Sequence, residues 1–275
     1  MPTNPLQQYF RQPKVYIGLP SQGVFNQLGT LQGDVTNMPV FGMTGMDEII
    51  VKTPDSLMTG ESTVRVIQSC CPAIKDAWAL SSLDLEAVLA AIRIATYGNE
   101  ITIGHTCPSC KIENEYTLDL SKIIEHFKTF VYDGKVVCEQ LTINLQPLTY
   151  KQATEYNLKN YHLQRRLAQA SALENEEEQT AIIQELFKEL GVLQNQIFTS
   201  SVESVEIADK TVTEREFIEE FMINCDKEIF DRIKLQFEKN RSSMRAPPFE
   251  GVCDSCGEKN SVYLELDESS FFAKA

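Results

Sequence analysis

The chain has 275 residues and a formal net charge of −14, from 39 acidic and 25 basic residues. This charge opposes contact with phosphate backbones and anionic lipid, which argues against a nucleic-acid-binding protein. No apolar stretch has the length of a membrane span, and the first residues lack a secretory-signal pattern, so we expect a globular protein made in a reducing cytoplasm.

Residues 1–33 are rich in Gln, Gly, Pro and Asn, which are typical of turns and irregular chain. One short apolar run at residues 15–17 predicts a single strand. We therefore expect an extended N-terminal arm, which either frays or orders against a neighbouring subunit.

Residues 34–146 are expected to form a mixed α/β region that opens with a strand at residues 35–41. Capping signals precede helical patterns at three points, which are Thr44, Thr53 and Ser81. The helix after Ser81 has a wide apolar face and is predicted to be a core helix.

The region contains one more predicted helix, at residues 61–70, which ends at two adjacent cysteines. We interpret Cys70 and Cys71 as small buried side chains, because adjacent cysteines rarely reach disulfide geometry.

The rest of this region is predicted to be mostly strand. A strand is expected at residues 100–104 and a short helix at residues 121–127. A hairpin that turns at Asp133 and Gly134 and a strand at residues 141–145 are expected to follow.

Residues 147–246 predict a large, mostly α-helical insertion. Helix starts are indicated at Thr149, at the acidic cluster of residues 174–178, at Thr213 and at Asp226. A small hairpin is expected at residues 205–212, and Cys138, just before this insertion, and Cys225 are assigned to the core.

Residues 247–275 are expected to return the chain to a strand and a C-terminal tail. The tail contains Phe271 and Phe272 close to its end. An aromatic pair that is not buried within its own chain is often buried in a partner, so we expect the tail to contact another subunit.

A repeated motif links the middle of the chain to its C-terminal part. Cys107 and Cys110, and again Cys253 and Cys256, begin the pattern C-x-S-C-x3-N-x3-L-[DE]-L, in which a thiol pair on a turn precedes an alternating, strand-like run. Four thiolates complete a tetrahedral Zn²⁺ site. We therefore predict one shared structural Zn²⁺ with these four ligands, in a small zinc-ribbon-like β unit.

Other interpretations of the cysteines stay open at this point. Cys-Pro-x-Cys also occurs in thioredoxin-like oxidoreductases, but there the second cysteine lies in a helix, whereas a strand pattern follows Cys110. Two separate metal sites, or buried thiols without metal, are further alternatives. His105 lies two residues before Cys107 and could replace a thiolate, although it more simply ends the preceding strand.

No catalytic constellation is evident in the sequence. The three histidines, which are His105, His126 and His162, lie in no hydrolase or metalloprotease motif, and no phosphate-binding glycine motif is present. A four-thiolate site also leaves no open position for water. We therefore expect a protein that is not an enzyme.

Several stretches of the first 120 residues resemble a known family. They are residues 19–23 (LPSQG), 40–48 (VFGMTGMDE), 53–57 (TPDSL), 92–98 (IRIATYG) and the first cysteine pair. These stretches resemble the baseplate hub proteins of contractile-tailed, T-even-like bacteriophages, a family that includes a hub subunit and a related hub assembly factor.

The resemblance implies a non-enzymatic tail component of the virion that acts through contacts with other baseplate proteins in a hetero-oligomeric assembly. It leaves open a transient hub assembly factor that is absent from the virion. A zinc-ribbon regulator that binds nucleic acid and a tail-associated hydrolase are two further alternatives. The expected fold class is α+β, with the zinc-ribbon-like unit, the helical insertion and an N-terminal helical region.

Overall fold

The computed structural model describes residues 4–52, 59–172 and 175–264. The chain divides into two compact units: the first comprises Met1–Val131 and Met244–Ala275, and the second comprises Tyr132–Ser243. The predicted mixture of helix and sheet is confirmed. The second unit begins before the predicted insertion at residue 147, and it contains a sheet as well as helices.

Strands and helices alternate irregularly along the described residues. The strands are β1 (Pro13–Ile17), β2 (Met38–Phe41), β3 (Glu100–Thr106), β4 (Glu113–Asp119), β5 (Lys135–Cys138), β6 (Leu141–Leu145), β7 (Val202–Ile207), β8 (Lys210–Val212), β9 (Phe249–Val252) and β10 (Lys259–Val262). The helices are α1 (Gly45–Val51), α2 (Glu61–Cys70), α3 (Ser82–Tyr97), α4 (Ser121–Thr129), α5 (Tyr150–Ala170), α6 (Glu176–Ser201), α7 (Arg215–Asn224) and α8 (Lys227–Met244).

Helix α3 is the core of the first unit, as its apolar face predicts. Ser81 caps it by accepting a hydrogen bond from the Asp84 amide (3.3 Å), and Gly98 follows its last residue. Most of its side chains are buried, including Val88 and Ile92 at 0% exposure. The helix packs against β1, β2, α2 and α4. Its last turn leads directly into β3, which ends beside the first cysteine pair.

The N-terminal residues differ from the predicted extended arm. The short strand is present as β1, but it pairs antiparallel with β2, and the chain beyond it is fixed to α3 by the buried carboxylate of Asp84. That carboxylate accepts hydrogen bonds from the Ser21 amide (2.9 Å), the Ser21 hydroxyl (2.6 Å) and the Asn26 amide group (2.7 Å). A buried carboxylate needs hydrogen-bond donors, and Ser21 and Asn26 supply them here. Together with the pairing of β1 and β2, these bonds make residues 13–26 part of the first unit.

The other predicted helix starts of the first unit have different outcomes. Thr44 is the N-cap of α1, which begins at Gly45, and it forms a capping box with Asp47. Thr53 lies outside the described residues. Helix α2 has the predicted bounds, and Cys70 and Cys71 are buried free thiols whose pKa is raised by desolvation.

The second unit is built on a four-stranded antiparallel sheet in the order β5-β6-β7-β8. One face is covered by α7, α8 and the last turns of α6, and side chains such as Ile143, Val202, Ile218 and Ile233 form its core. The predicted strand at residues 141–145 and the hairpin at residues 205–212 are confirmed as β6 and as β7 with β8.

Two local predictions in this unit are wrong. The first hairpin turns at residues 139–140, between β5 and β6, because Asp133 is held by α8 instead: the Asn240 amide group donates to its carbonyl (2.7 Å). Thr213 does not cap α7. Glu214 occupies the cap position without a side-chain bond to the helix.

Helices α5 and α6 form an antiparallel helical hairpin. Tyr156 hydrogen-bonds Ser200 (2.6 Å) near one end, and the Gln179 side chain donates to the Ser171 carbonyl (3.0 Å) near the other. Thr149 caps α5 in a capping box, as predicted, and Asn175 caps α6 beside its acidic first turn. The two helices form their own apolar cluster, separate from the core under the sheet.

Candidate metal centre

Each cysteine pair lies in the loop of an antiparallel hairpin. We call residues 107–112, between β3 and β4, the first knuckle, and residues 253–258, between β9 and β10, the second knuckle. In both, the first cysteine amide donates to the carbonyl that closes the loop: Cys107 to Ile112 (2.9 Å) and Cys253 to Glu258 (2.8 Å). The repeated sequence therefore folds into repeated backbone geometry.

The two knuckles also share an unusual backbone conformation. The residue after the second cysteine has a positive φ in each, 62° at Lys111 and 74° at Gly257, and its amide donates to the carbonyl of the first cysteine of its pair (2.9 Å in both). This turn directs both thiols of a knuckle to the same side of its loop. In both cases a strand follows, which agrees with the argument against a thioredoxin-like helix.

The structure brings all four predicted thiols together. The Sγ atoms of Cys107 and Cys256 are 3.7 Å apart, those of Cys110 and Cys253 are 3.6 Å apart, and all four lie within 4.8 Å of one another. A tetrahedron with metal–sulfur bonds of about 2.3 Å has edges of about 3.8 Å. Two of the six sulfur–sulfur distances are thus close to those of a tetrahedral thiolate site, and this group could hold a metal ion.

Backbone hydrogen bonds in the loops favour the thiolate form at two of the four sulfurs. In each pair, backbone amides donate to the first thiol and lower its pKa. The main donor to Cys107 is the Cys110 amide. The main donor to Cys253 is the Cys256 amide, and the pKa of Cys253 falls to about 6. At Cys256 the Glu258 amide also donates, but desolvation and the neighbouring thiols outweigh it and raise the pKa to about 12. A divalent cation would favour the thiolate at all four positions.

Three further side chains hold the two hairpins against each other. Asn114 of β4 donates to the Ile112 carbonyl (3.0 Å) of its own knuckle and accepts from the Asp254 amide (3.0 Å) of the other. The Tyr116 hydroxyl accepts from the Asn260 side chain (3.0 Å). Tyr116 also covers Gly251, where an added Cβ would lie 2.6 Å from the ring.

These contacts were not predicted, although the motif itself contains both asparagines. A repeated Asn four residues after a metal ligand is a signal for a loop-stabilising side chain, because short polar side chains bond nearby backbone groups. The packing of Tyr116 on Gly251 has no such signal, since it joins residues far apart in the sequence.

The remaining candidate ligands lie outside the thiol cluster. His105 is part of β3, as its simpler interpretation predicts, and within the described residues its buried Nε2 atom has no hydrogen-bond partner. Cys70, Cys71, Cys138 and Cys225 are free thiols elsewhere. Among the residues that the structure describes, the four-cysteine group is the one cluster of at least three Cys, His, Asp or Glu that could hold a metal.

Comparisons with known proteins agree with the sequence resemblance. In the described part of the chain, no helix is long and apolar enough to cross a membrane. No curated protein and no solved structure matches the chain significantly. A family model described as "T4 bacteriophage base plate protein" matches residues 45–273, which include both knuckles, the whole second unit and most of the first. The chain therefore belongs to the family of T4 bacteriophage base plate proteins.

Proposed function

We propose that this protein is a non-enzymatic structural component of a contractile phage tail baseplate, at or next to the hub, that acts through contacts with other tail proteins. The family match over residues 45–273 carries this proposal. The family implies interaction with other tail proteins and a place in the virion tail.

We propose further that Cys107, Cys110, Cys253 and Cys256 bind one structural Zn²⁺ in a zinc-ribbon-like unit. Four sulfur ligands are typical of structural Zn²⁺ sites, whereas Mg²⁺ and Ca²⁺ prefer oxygen ligands. The ion would join the β3–β4 hairpin to the β9–β10 hairpin, whose cysteine pairs lie more than 140 positions apart in the chain. All four thiols belong to the first unit, so the ion would join two parts of that unit that are distant in the sequence.

A nucleic-acid-binding role is disfavoured by charge. The hairpins that carry the knuckles contain Glu100, Glu113, Glu115, Asp119 and Glu250, while the whole chain has 14 more acidic than basic residues. A zinc ribbon that binds a phosphate backbone needs a basic surface instead. No observation on the two hairpins or on the four-cysteine group favours the hydrolase alternative.

The proposal is tested by the protein content of purified virions. Mass spectrometry of gradient-purified particles should detect the chain in a fixed ratio to other baseplate proteins, and isolated baseplates should retain it. If the chain is abundant in infected-cell extracts but absent from particles and baseplates, it is a transient assembly factor and the structural role is wrong.

The metal is tested separately on the full chain purified without added metal. Elemental analysis is expected to give one Zn²⁺ per chain. A Cys107→Ser plus Cys253→Ser variant should lose it, and a Cys138→Ser plus Cys225→Ser variant should keep it. Loss of one metal from both variants, or from neither, would contradict the assignment.

A further inference from the structure

The helical hairpin of α5 and α6 has a groove along one side. The groove has a volume of about 530 Å³ and is lined by residues of both helices: Lys159, His162, Leu163, Arg166, Glu185, Lys188, Glu189, Val192, Leu193 and Gln196. Leu163 and Leu193 form its apolar floor, and Val192 at its side is 58% exposed. It is therefore an open apolar surface with a charged rim.

The cluster under this groove involves α5 and α6 alone. Its buried members are Leu163, Ala170, Leu186 and Leu193, and the partly buried side chains packed on them come from the same two helices. Two helices bury one stripe against each other and leave their flanks uncovered. Further helices usually complete such a layer, as in a four-helix bundle.

The charges of the two helices are opposite. Helix α5 has four Lys or Arg and one Glu, a net charge of +3, whereas α6 has five Glu and one Lys, a net charge of −4. In a chain whose net charge is −14, α5 is thus locally basic. A surface with one basic and one acidic side is complementary to a second copy of itself related by a twofold axis.

The groove rim has the same polarity. Lys159, His162 and Arg166 lie on the α5 side, and the α6 side has Glu185 and Glu189 together with one lysine, Lys188. Arg166 is paired with Glu189 within the chain (2.8 Å). In the described part of the chain, neither Lys159 nor Glu185 has an ion-pair partner, and the Lys159 ammonium lies 5.6 Å from the centre of the Tyr156 ring. Both charges can therefore pair with a neighbour.

We propose that this groove is a self-association surface, in which the α5–α6 hairpins of two copies form an antiparallel four-helix bundle. The basic α5 of each copy faces the acidic α6 of the other. Val192 and the apolar floor are covered by their counterparts, and Lys159 of one copy is opposite Glu185 of its partner, twice. This inference is independent of the metal site and of the position in the baseplate.

The test is a charge exchange on the full chain, measured by sedimentation velocity. At about 100 µM the unmodified protein should be mostly dimeric, because a dimer with a micromolar Kd is well populated at that concentration. Lys159→Glu alone and Glu185→Lys alone should each weaken the dimer about tenfold, because both twofold-related pairs become repulsive. Mixed in equal amounts, the two variants should form a heterodimer, since both pairs are then attractive.

Two variants with charge changes outside the groove serve as matched controls. Lys122→Glu and Glu125→Lys make the same charge changes on exposed positions of α4 and should leave the dimer unchanged, and circular dichroism should show equal folding of all variants. The proposal is overturned if the chain is monomeric throughout, if the groove variants behave like the α4 variants, or if the mixture stays monomeric. A chain that is monomeric alone but binds a baseplate extract would indicate a different partner.

Discussion

The two asparagines of the motif show how one residue difference breaks the symmetry of the knuckles. Asn114 accepts a hydrogen bond from the Asp254 amide of the opposite knuckle. The matching position in the first knuckle is Pro108, which has no N–H to donate. Within the described residues the buried Oδ1 of Asn260 has no partner, and its amide group bonds Tyr116 instead. Asn114 is therefore the asparagine that links the two thiol pairs.

This asymmetry predicts unequal effects on metal binding. Asn114→Ala should lower the Zn²⁺ affinity about 10- to 100-fold, because it removes a side chain that orients ligands of both pairs. Asn260→Ala should have a smaller effect, since it removes one side-chain bond and no contact with the first knuckle. Competition with a chromophoric chelator measures both affinities. Equal losses in the two variants would refute the role of Asn114.

Glu86 of α3 provides a prediction about pH. Burial raises its pKa from 4.5 to about 7, against a smaller opposing effect of Arg245. Between these two values the native carboxyl keeps its proton while the unfolded one has lost it, so stability falls as pH rises through this range. Glu86→Gln removes that penalty.

The Glu86→Gln variant should therefore be more stable than the unmodified protein at pH 8, by on the order of 2 kcal/mol, and nearly equal to it at pH 4.5. Urea unfolding followed by the fluorescence of Trp78, the single tryptophan, reports on the first unit. Glu125→Gln on the exposed side of α4 is the matched control. A stability difference that is the same at both pH values would contradict the raised pKa.

The sequence alone predicts the thiols but not what surrounds them. A tetrahedral site needs four soft ligands, so two C-x-S-C pairs with matching flanks predict that Cys107, Cys110, Cys253 and Cys256 come together, as they do in the structure. The contacts of Tyr116 with Gly251 and Asn260 depend on how two hairpins meet in space. No local periodicity encodes that packing.

At the scale of elements, most helix caps are predicted correctly because the signal is contained within one turn, and Thr213 is the exception. Thr44, Ser81 and Thr149 cap helices as their sequences indicate, because a cap joins atoms three residues apart. Prediction fails where a distant element decides. Asp133 and Gly134 have the composition of a hairpin turn, but Asn240 of α8 donates a hydrogen bond to the Asp133 carbonyl. The turn forms instead at Glu139, which has a φ of 46°.

Two glycines in different elements are expected to respond oppositely to alanine. Gly251→Ala in β9 should destabilise the first unit by a few kcal/mol, because the new methyl group overlaps the Tyr116 ring. Gly191→Ala in α6 should stabilise the second unit by about 0.5–1 kcal/mol, because its Cβ meets nothing within 4 Å and alanine favours helix.

Thermal unfolding measures the overall stability of each glycine variant. Hydrogen exchange then shows which unit has changed. Exchange in β3, β4, β9 and β10 should rise in the Gly251→Ala variant, and exchange in α6 should fall in the Gly191→Ala variant. A Tyr116→Leu change in the Gly251→Ala background should restore part of the loss, because the smaller side chain makes room. If Gly251→Ala is as stable as the unmodified protein, the hairpins are not packed as described.

At the scale of the whole molecule, the proposed metal belongs to one unit alone. All four thiols lie in the first unit, on the two segments that flank the second unit in the chain. Structural Zn²⁺ contributes about 10 kcal/mol or more of apparent binding free energy in small peptides, which is comparable with the stability of a domain. The sheet of β5–β8 and its helices have a separate apolar core. Metal removal should therefore act on one unit selectively.

Chelation of the full chain under reducing conditions is expected to increase hydrogen exchange strongly in β3, β4, β9 and β10, because no ion then joins the four sulfurs and the hairpins lose their junction. Exchange in β6 and β7 should stay within error, since no ligand comes from the second unit. Added Zn²⁺ should reverse the change in the unmodified chain and in Cys225→Ser, but not in Cys107→Ser. Equal loosening of both units would mean that the ion stabilises the chain as a whole and that the four sulfurs are not a local junction.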